Sequence, residues 1–161
     1  MNSRFVISFL VLAALLSASG WAFPTPAVIQ DVDEWTLEVN YTQPRQIMVR
    51  MGESDDIQRF WYMILTVTNE GPFEEVSFYP HAELVTDTFQ VIPADKSVPR
   101  GVFETIKLKH QGQFPFLESV DFADRRIFLG EDNTRDFALI WPDFDPQAKE
   151  VSIYIAGLSN E

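Results

Sequence analysis

Four pairs of neighbouring carboxylates punctuate this chain: Asp55 with Asp56, Glu74 with Glu75, Glu131 with Asp132, and Asp143 with Asp145. Two carboxyls held about 5–10 Å apart across a cleft can break a glycosidic bond. Neighbours on a turn point instead into solvent, so an acid-residue hydrolase ranks last among the functional readings. Calcium is the sharper use of these oxygens. Glu131, Asp132, Asn133 and Asp136 in "GEDNTRD", and Asp143 and Asp145 in "PDFDPQAKE", supply hard oxygen ligands in two loops. The two loops flank one strand, near its opposite ends, and neither has EF-hand spacing. Solvated turns, with Asp and Asn bonding their own backbone, compete with the metal reading.

Aromatic rings offer a third chemistry, stacking on a sugar. Trp35, Trp61, Tyr62 and Trp141 are the candidates. Trp61 and Trp141 lie in strongly apolar segments and belong to a core. Trp35 and Tyr62 are the pair for a carbohydrate-binding surface.

Other chemistries lack their residues. The chain has no cysteine, which excludes disulfides, thiolate metal sites, a Cys nucleophile and a lipid anchor on Cys. Its two histidines, His81 and His110, cannot make a three-His zinc site, and each is expected as a surface or turn residue. "HAE" (81–83) opens like a deaminase signature, but that zinc site needs cysteines. No G-x-S-x-G, phosphate loop or dinucleotide glycine pattern occurs, so no catalytic residue and no cofactor is assigned.

The chain begins with one cation, Arg4, an apolar run from Phe5 to Leu16, and small residues at Ala18, Gly20 and Ala22. That is the layout of a secretory signal peptide over 1–22, and the run is too short for a bilayer span. Residues 23–33, "FPTPAVIQDVD", read as an arm or linker, and 34–161 as a single domain. Lys and Arg number 12 against 24 Asp and Glu, a net charge of −12. Cleavage would remove Arg4 alone of the charged residues and leave one unit more negative. Such a field repels nucleic acid and anionic lipid and draws cations or basic partners, besides keeping an exported protein soluble.

Period-two alternation dominates the domain. "EWTLEVN" sets Trp35, Leu37 and Val39 on one face, and "QPRQIMVRM" sets Ile47, Val49 and Met51 after the Pro44 break. "RFWYMILTVTNEG" (59–71) is apolar on both parities at its start and polar on one at its end. This pattern predicts a strand with Trp61–Val67 between two sheets. Phe60, Tyr62 and Ile64 would lie under the arm or a helix, and Thr66 and Thr68 would emerge into water. "EEVSFYPHAELVTD" reads as an edge strand interrupted at Pro80, followed by a short strand in "TFQVI". "SVPRGVFETIKLKH" carries Val98, Val102 and Ile106 at helical spacing, with Ser97 as cap and Pro99 early in the helix. Strands return in "RRIFLG", "DFALIW" and "EVSIYIAGL".

The segments "YMILTVTNEGP", "AELVTDTF", "IFLGEDNTRDFALIWPDFDP" and "VSIYIAGL" resemble an immunoglobulin-like family of small exported bacterial proteins. The shared features are a strand ending in a V-T-N turn, a later strand with an Asp corner, a G-E loop feeding an apolar strand, and an alternating closing strand. The resemblance implies a β-sandwich and brings no catalytic residues. The chain departs from it by lacking Cys, by "NTRD" (133–136) where glycine is usual, and by the helix.

The resulting expectation is a mostly-β, antiparallel immunoglobulin-like β-sandwich with one short helix inserted. It would be exported to the periplasm or outside, without a lipid anchor, and would span no membrane once processed. Its leading function is non-enzymatic binding of a protein or cell-envelope partner through exposed sheet edges. A carbohydrate- or calcium-dependent binding module is the alternative.

Overall fold

The computed structural model describes residues 33–52, 56–121, 123 and 125–160. The segment expected as a signal peptide (1–22), nearly all of the expected arm (23–33), and Asp55 lie outside the described residues.

The long apolar segment forms the central strand β3 (Ile57–Thr68). It pairs antiparallel along its length with β9 (Arg135–Pro142), Trp61 opposite Trp141 and Leu65 opposite Phe137. The other side of β3 is shared by β1 (Glu38–Tyr41) and β2 (Arg45–Arg50). Pro44, which has no N–H to give a ladder, falls between them. Thr42 carries the pairing across the gap: its N–H donates to Ile64 O and its Oγ1 accepts the Ile64 N–H, both at 2.9 Å. The short β7 (Glu118–Ser119) adds to β9 in parallel.

On one face of this sheet lies a three-stranded antiparallel sheet, β10 (Val151–Ala156), β5 (His81–Thr86) and β6 (Val91–Pro93), in that order. A two-stranded pair, β4 (Glu75–Ser77) and β8 (Arg126–Phe128), packs beside it. Met63, Leu65, Val67, Phe137, Leu139 and Trp141 meet Val76, Phe78, Ala82, Leu84 and Ile127 there in one buried cluster. On the opposite face lies helix α1 (Arg100–His110). Val102 and Ile106 pack against Ile47, Val49, Phe60, Tyr62, Ile64 and Ile140, with the small Ala138 and Leu117 in the same cluster. Each parity of β3 thus has its own apolar layer, which is why Phe60–Leu65 is apolar throughout.

On the helix side the apolar layer takes only Phe60, Tyr62 and Ile64 of β3. Thr66 is half-buried and donates to Asp136 Oδ1 at 2.7 Å. Thr68, expected in water, is 9% exposed, with its Oγ1 2.9 Å from Thr134 Oγ1. Its hydroxyl is satisfied by a neighbouring side chain, so burial is not costly.

Three further expectations are corrected. Pro80 separates two strands of different sheets, and β5 is the middle strand of its sheet, not an edge. Ser97 has φ +63 and precedes the helix without capping it, while Pro99 takes the cap position with no side-chain hydrogen bond. The helix ends at His110, where the predicted segment closes, and Lys107 and Lys109 in its last turn suit its negative end. No described helix is long and apolar enough to cross a membrane. Among the described residues the fold is therefore mostly β, with antiparallel sheets and one short helix.

Candidate functional site

The catalytic and metal candidates stay dispersed. Glu131, Asp132 and Asn133 form a 3-10 turn before β9, Asp136 is bound to Thr66, and Asp143 and Asp145 follow the far end of β9. Eight extended residues separate the ends of that strand by about 25 Å. Among the described residues no three His, Asp or Glu side chains come together to hold a metal ion. Asp143 instead accepts two bonds from Arg59, at 2.8 and 2.9 Å, and one from Trp61 Nε1 at 3.3 Å. Partial burial works against its ionisation, but these bonds and the Arg59 charge prevail and hold its carboxyl below the usual range. Glu74 and Glu75 stand on the surface, Glu75 in β4 3.8 Å from Arg126, and Asp56 accepts from Gln58 at 2.9 Å.

The stacking candidates are taken up by the core. Tyr62 is 1% exposed, so it cannot offer a ring face to a sugar. Its hydroxyl lies 2.8 Å from His110 Nε2. His110 is itself buried, correcting the surface assignment, and burial followed by the charges of Lys109 and Arg45 pushes its pKa down. Trp35 is half-buried against the main cluster, and Trp61 stacks on Phe144 with centroids 5.0 Å apart. Trp141 is fully buried. His81 is exposed, 3.1 Å from Glu83.

One carboxyl stands out that the sequence did not single out. Asp95, in the turn between β6 and α1, has φ +60 and donates its N–H to Ile140 O at 2.7 Å. Its side chain lines a cavity of about 100 Å³ with Asp121, Arg100 and Ser119. Burial, then the Asp121 charge, push its carboxyl up to about 7 against a backbone hydrogen bond from Ile140. "ADKS" reads as an ordinary polar turn, and only the tertiary fold brings Asp121 to it.

The feature best built for recognition lies at one side of the sandwich. β10 pairs only with β5, and β1 and β2 pair only with β3, so among the described residues both sheets end in open edges there. At one corner the two sheets are stitched together: Thr36 bridges Ser159, Leu37 donates to Leu158 O at 2.8 Å, and Asn160 donates to Trp35 O at 3.3 Å. Away from that corner the edges separate around an apolar slot of about 320 Å³ lined by Tyr41, Pro44, Met63, Val151, Ile153 and Ile155. The alternation of Val151, Ile153 and Ile155 marks β10's inward face in the sequence. Nothing local says that β10 has no second neighbour. A wider groove of about 540 Å³ opens between Gln46, Met48, Ile57 and Asp143, but its Arg59 is already bound to Asp143.

Comparisons with protein-family models, with curated proteins and with solved structures found no match.

Proposed function

We propose that this chain is an exported, non-enzymatic protein of the immunoglobulin-like β-sandwich kind that binds a protein or envelope partner by taking up an extended segment along its open side. The observation that carries the reading is the apolar slot between two unpaired edges. An edge strand offers a row of free backbone donors and acceptors, and partners that add a strand gain affinity from those bonds and specificity from side-chain pockets. The slot supplies the pocket: Val151, Ile153 and Ile155 are half-buried and would be completed by apolar side chains from outside. The leader pattern supports export, and the absence of cysteine supports release without a lipid anchor.

The test is a fluorescein-labelled peptide alternating Ser with Val or Ile over six residues, titrated with the folded chain and read by anisotropy. Tyr41 is 64% exposed, so Tyr41→Glu should fold normally while setting a charge against the slot. Binding should fall about tenfold, and Lys107→Glu on the helix should leave it unchanged. No saturable binding, or equal affinity for both variants, would overturn the reading.

A further inference from the structure

β10 offers more than an edge: its geometry and surroundings specify what would lie along it. We infer that the segment taken up is cationic, lies antiparallel to β10, and places a Lys or Arg across from Tyr154. This rests on the strand-uptake reading and adds the chemistry of the partner.

Direction follows from the edges. The β1–β2 edge is interrupted at Pro44, which cannot donate, whereas β10 is six unbroken residues. β10 is therefore the pairing edge, and antiparallel pairing is the commoner and more stable arrangement. Pattern follows from β10's alternation. Val151, Ile153 and Ile155 face the slot and call for apolar side chains at every second position of the arriving strand.

Charge follows from the outward positions. Ser152, Tyr154 and Ala156 are exposed, Tyr154 at 62%. On its paired side Tyr154 faces Glu83 of β5, which also lies 3.1 Å from His81 Nε2. Glu150 precedes the strand, beside Lys149. A cation directly opposite Tyr154 would lie over the ring with the Glu83 carboxylate beyond it, a cross-strand pairing that the sheet spacing permits. The chain's net charge of −12 draws such a segment in and repels an acidic one, and it disfavours a second copy of the chain as occupant.

Three peptides decide this: the Ser-alternating peptide and versions with Lys or Glu at the three Ser positions. The Lys peptide should bind about fivefold or more tighter than the Ser peptide, lose that advantage as salt rises, and outbind the Glu peptide by more. Tyr154→Ala and Glu83→Gln should each shrink the Lys advantage and leave Ser-peptide affinity nearly unchanged. Equal binding of Lys and Glu peptides would overturn the inference while leaving strand uptake standing. Failure of all three to bind would remove the strand-uptake reading itself. Sedimentation showing a dimer that the Lys peptide breaks would assign the slot to a second copy and also overturn the inference.

Discussion

Replacing Asp95 by Asn should stabilise the protein at pH 8 and do almost nothing at pH 4. The carboxyl lines a small cavity with Asp121 and with Arg100 of the helix, and Ile140 of β9 gives it a backbone hydrogen bond. Its pKa rises to about 7 from an ordinary aspartate value of 3.8. A raised carboxyl pKa means that the fold prefers the protonated form, so the native state holds more protons than the unfolded chain between those values. The corresponding stability is complete below about pH 4 and is lost as pH climbs through 7. A difference of roughly three units at 1.36 kcal/mol each sets a ceiling of about 4 kcal/mol. Residual exposure and relaxation will reduce it. Asn is uncharged at every pH and keeps an oxygen for the Ile140 hydrogen bond, so it copies the favoured form. Urea unfolding followed by tryptophan fluorescence at pH 4.5, 6 and 8 measures the difference between variant and parent. Taking that difference cancels the general easing of charge repulsion as the acidic chain titrates. A gain of about 2 kcal/mol or more at pH 8, shrinking toward zero at pH 4.5, is expected. A gain independent of pH, or a loss at pH 8, would refute the reasoning.

Leu65→Ala empties a fully buried position between the sheets and should cost about 2–5 kcal/mol in chemical denaturation, while Thr66→Ala one residue on should cost under about 1. Tyr62→Phe strips the hydroxyl partner from buried His110 and should cost about 1–3 kcal/mol, measured the same way, although it removes a single oxygen. Gly157 has φ +86, and a Cβ there would collide with the Tyr79 carbonyl oxygen. Gly157→Ala should therefore lower the melting temperature by several degrees, the scale of a 1–2 kcal/mol loss, since both backbone strain and the clash act together.

The strands were legible because burial with a period of two leaves its mark directly on side-chain type. Ile47, Val49, Leu84, Phe137 and Leu139 all point where alternation puts them. The double apolar parity of Phe60–Leu65 also announced two layers, and the helical spacing of Val102 and Ile106 named the element forming one of them. What escaped was pairing. Pro80 looks the same whether it bends one strand or separates two, and only long-range partners show that β4 joins β8 while β5 joins β10 and β6. Tyr62 stands as a surface candidate in the sequence once Trp61 and Trp141 are assigned to the core, yet its hydroxyl has a buried hydrogen-bond partner in His110. The acidic turns advertised ligands, and folding sent Asp136 to a threonine and Asp143 to an arginine instead. The open slot is a property of two edges more than a hundred residues apart, which no local pattern encodes.

Hydrogen exchange along β10 tests strand uptake most directly. With saturating Lys-alternating peptide, the amides of Val151–Ala156 that point away from β5 should become strongly protected, while those of β3, already flanked by β9 on one side and by β1 and β2 on the other, should not change. Protection confined to the groove around Gln46–Arg59, with β10 exchanging as fast as before, would contradict the account.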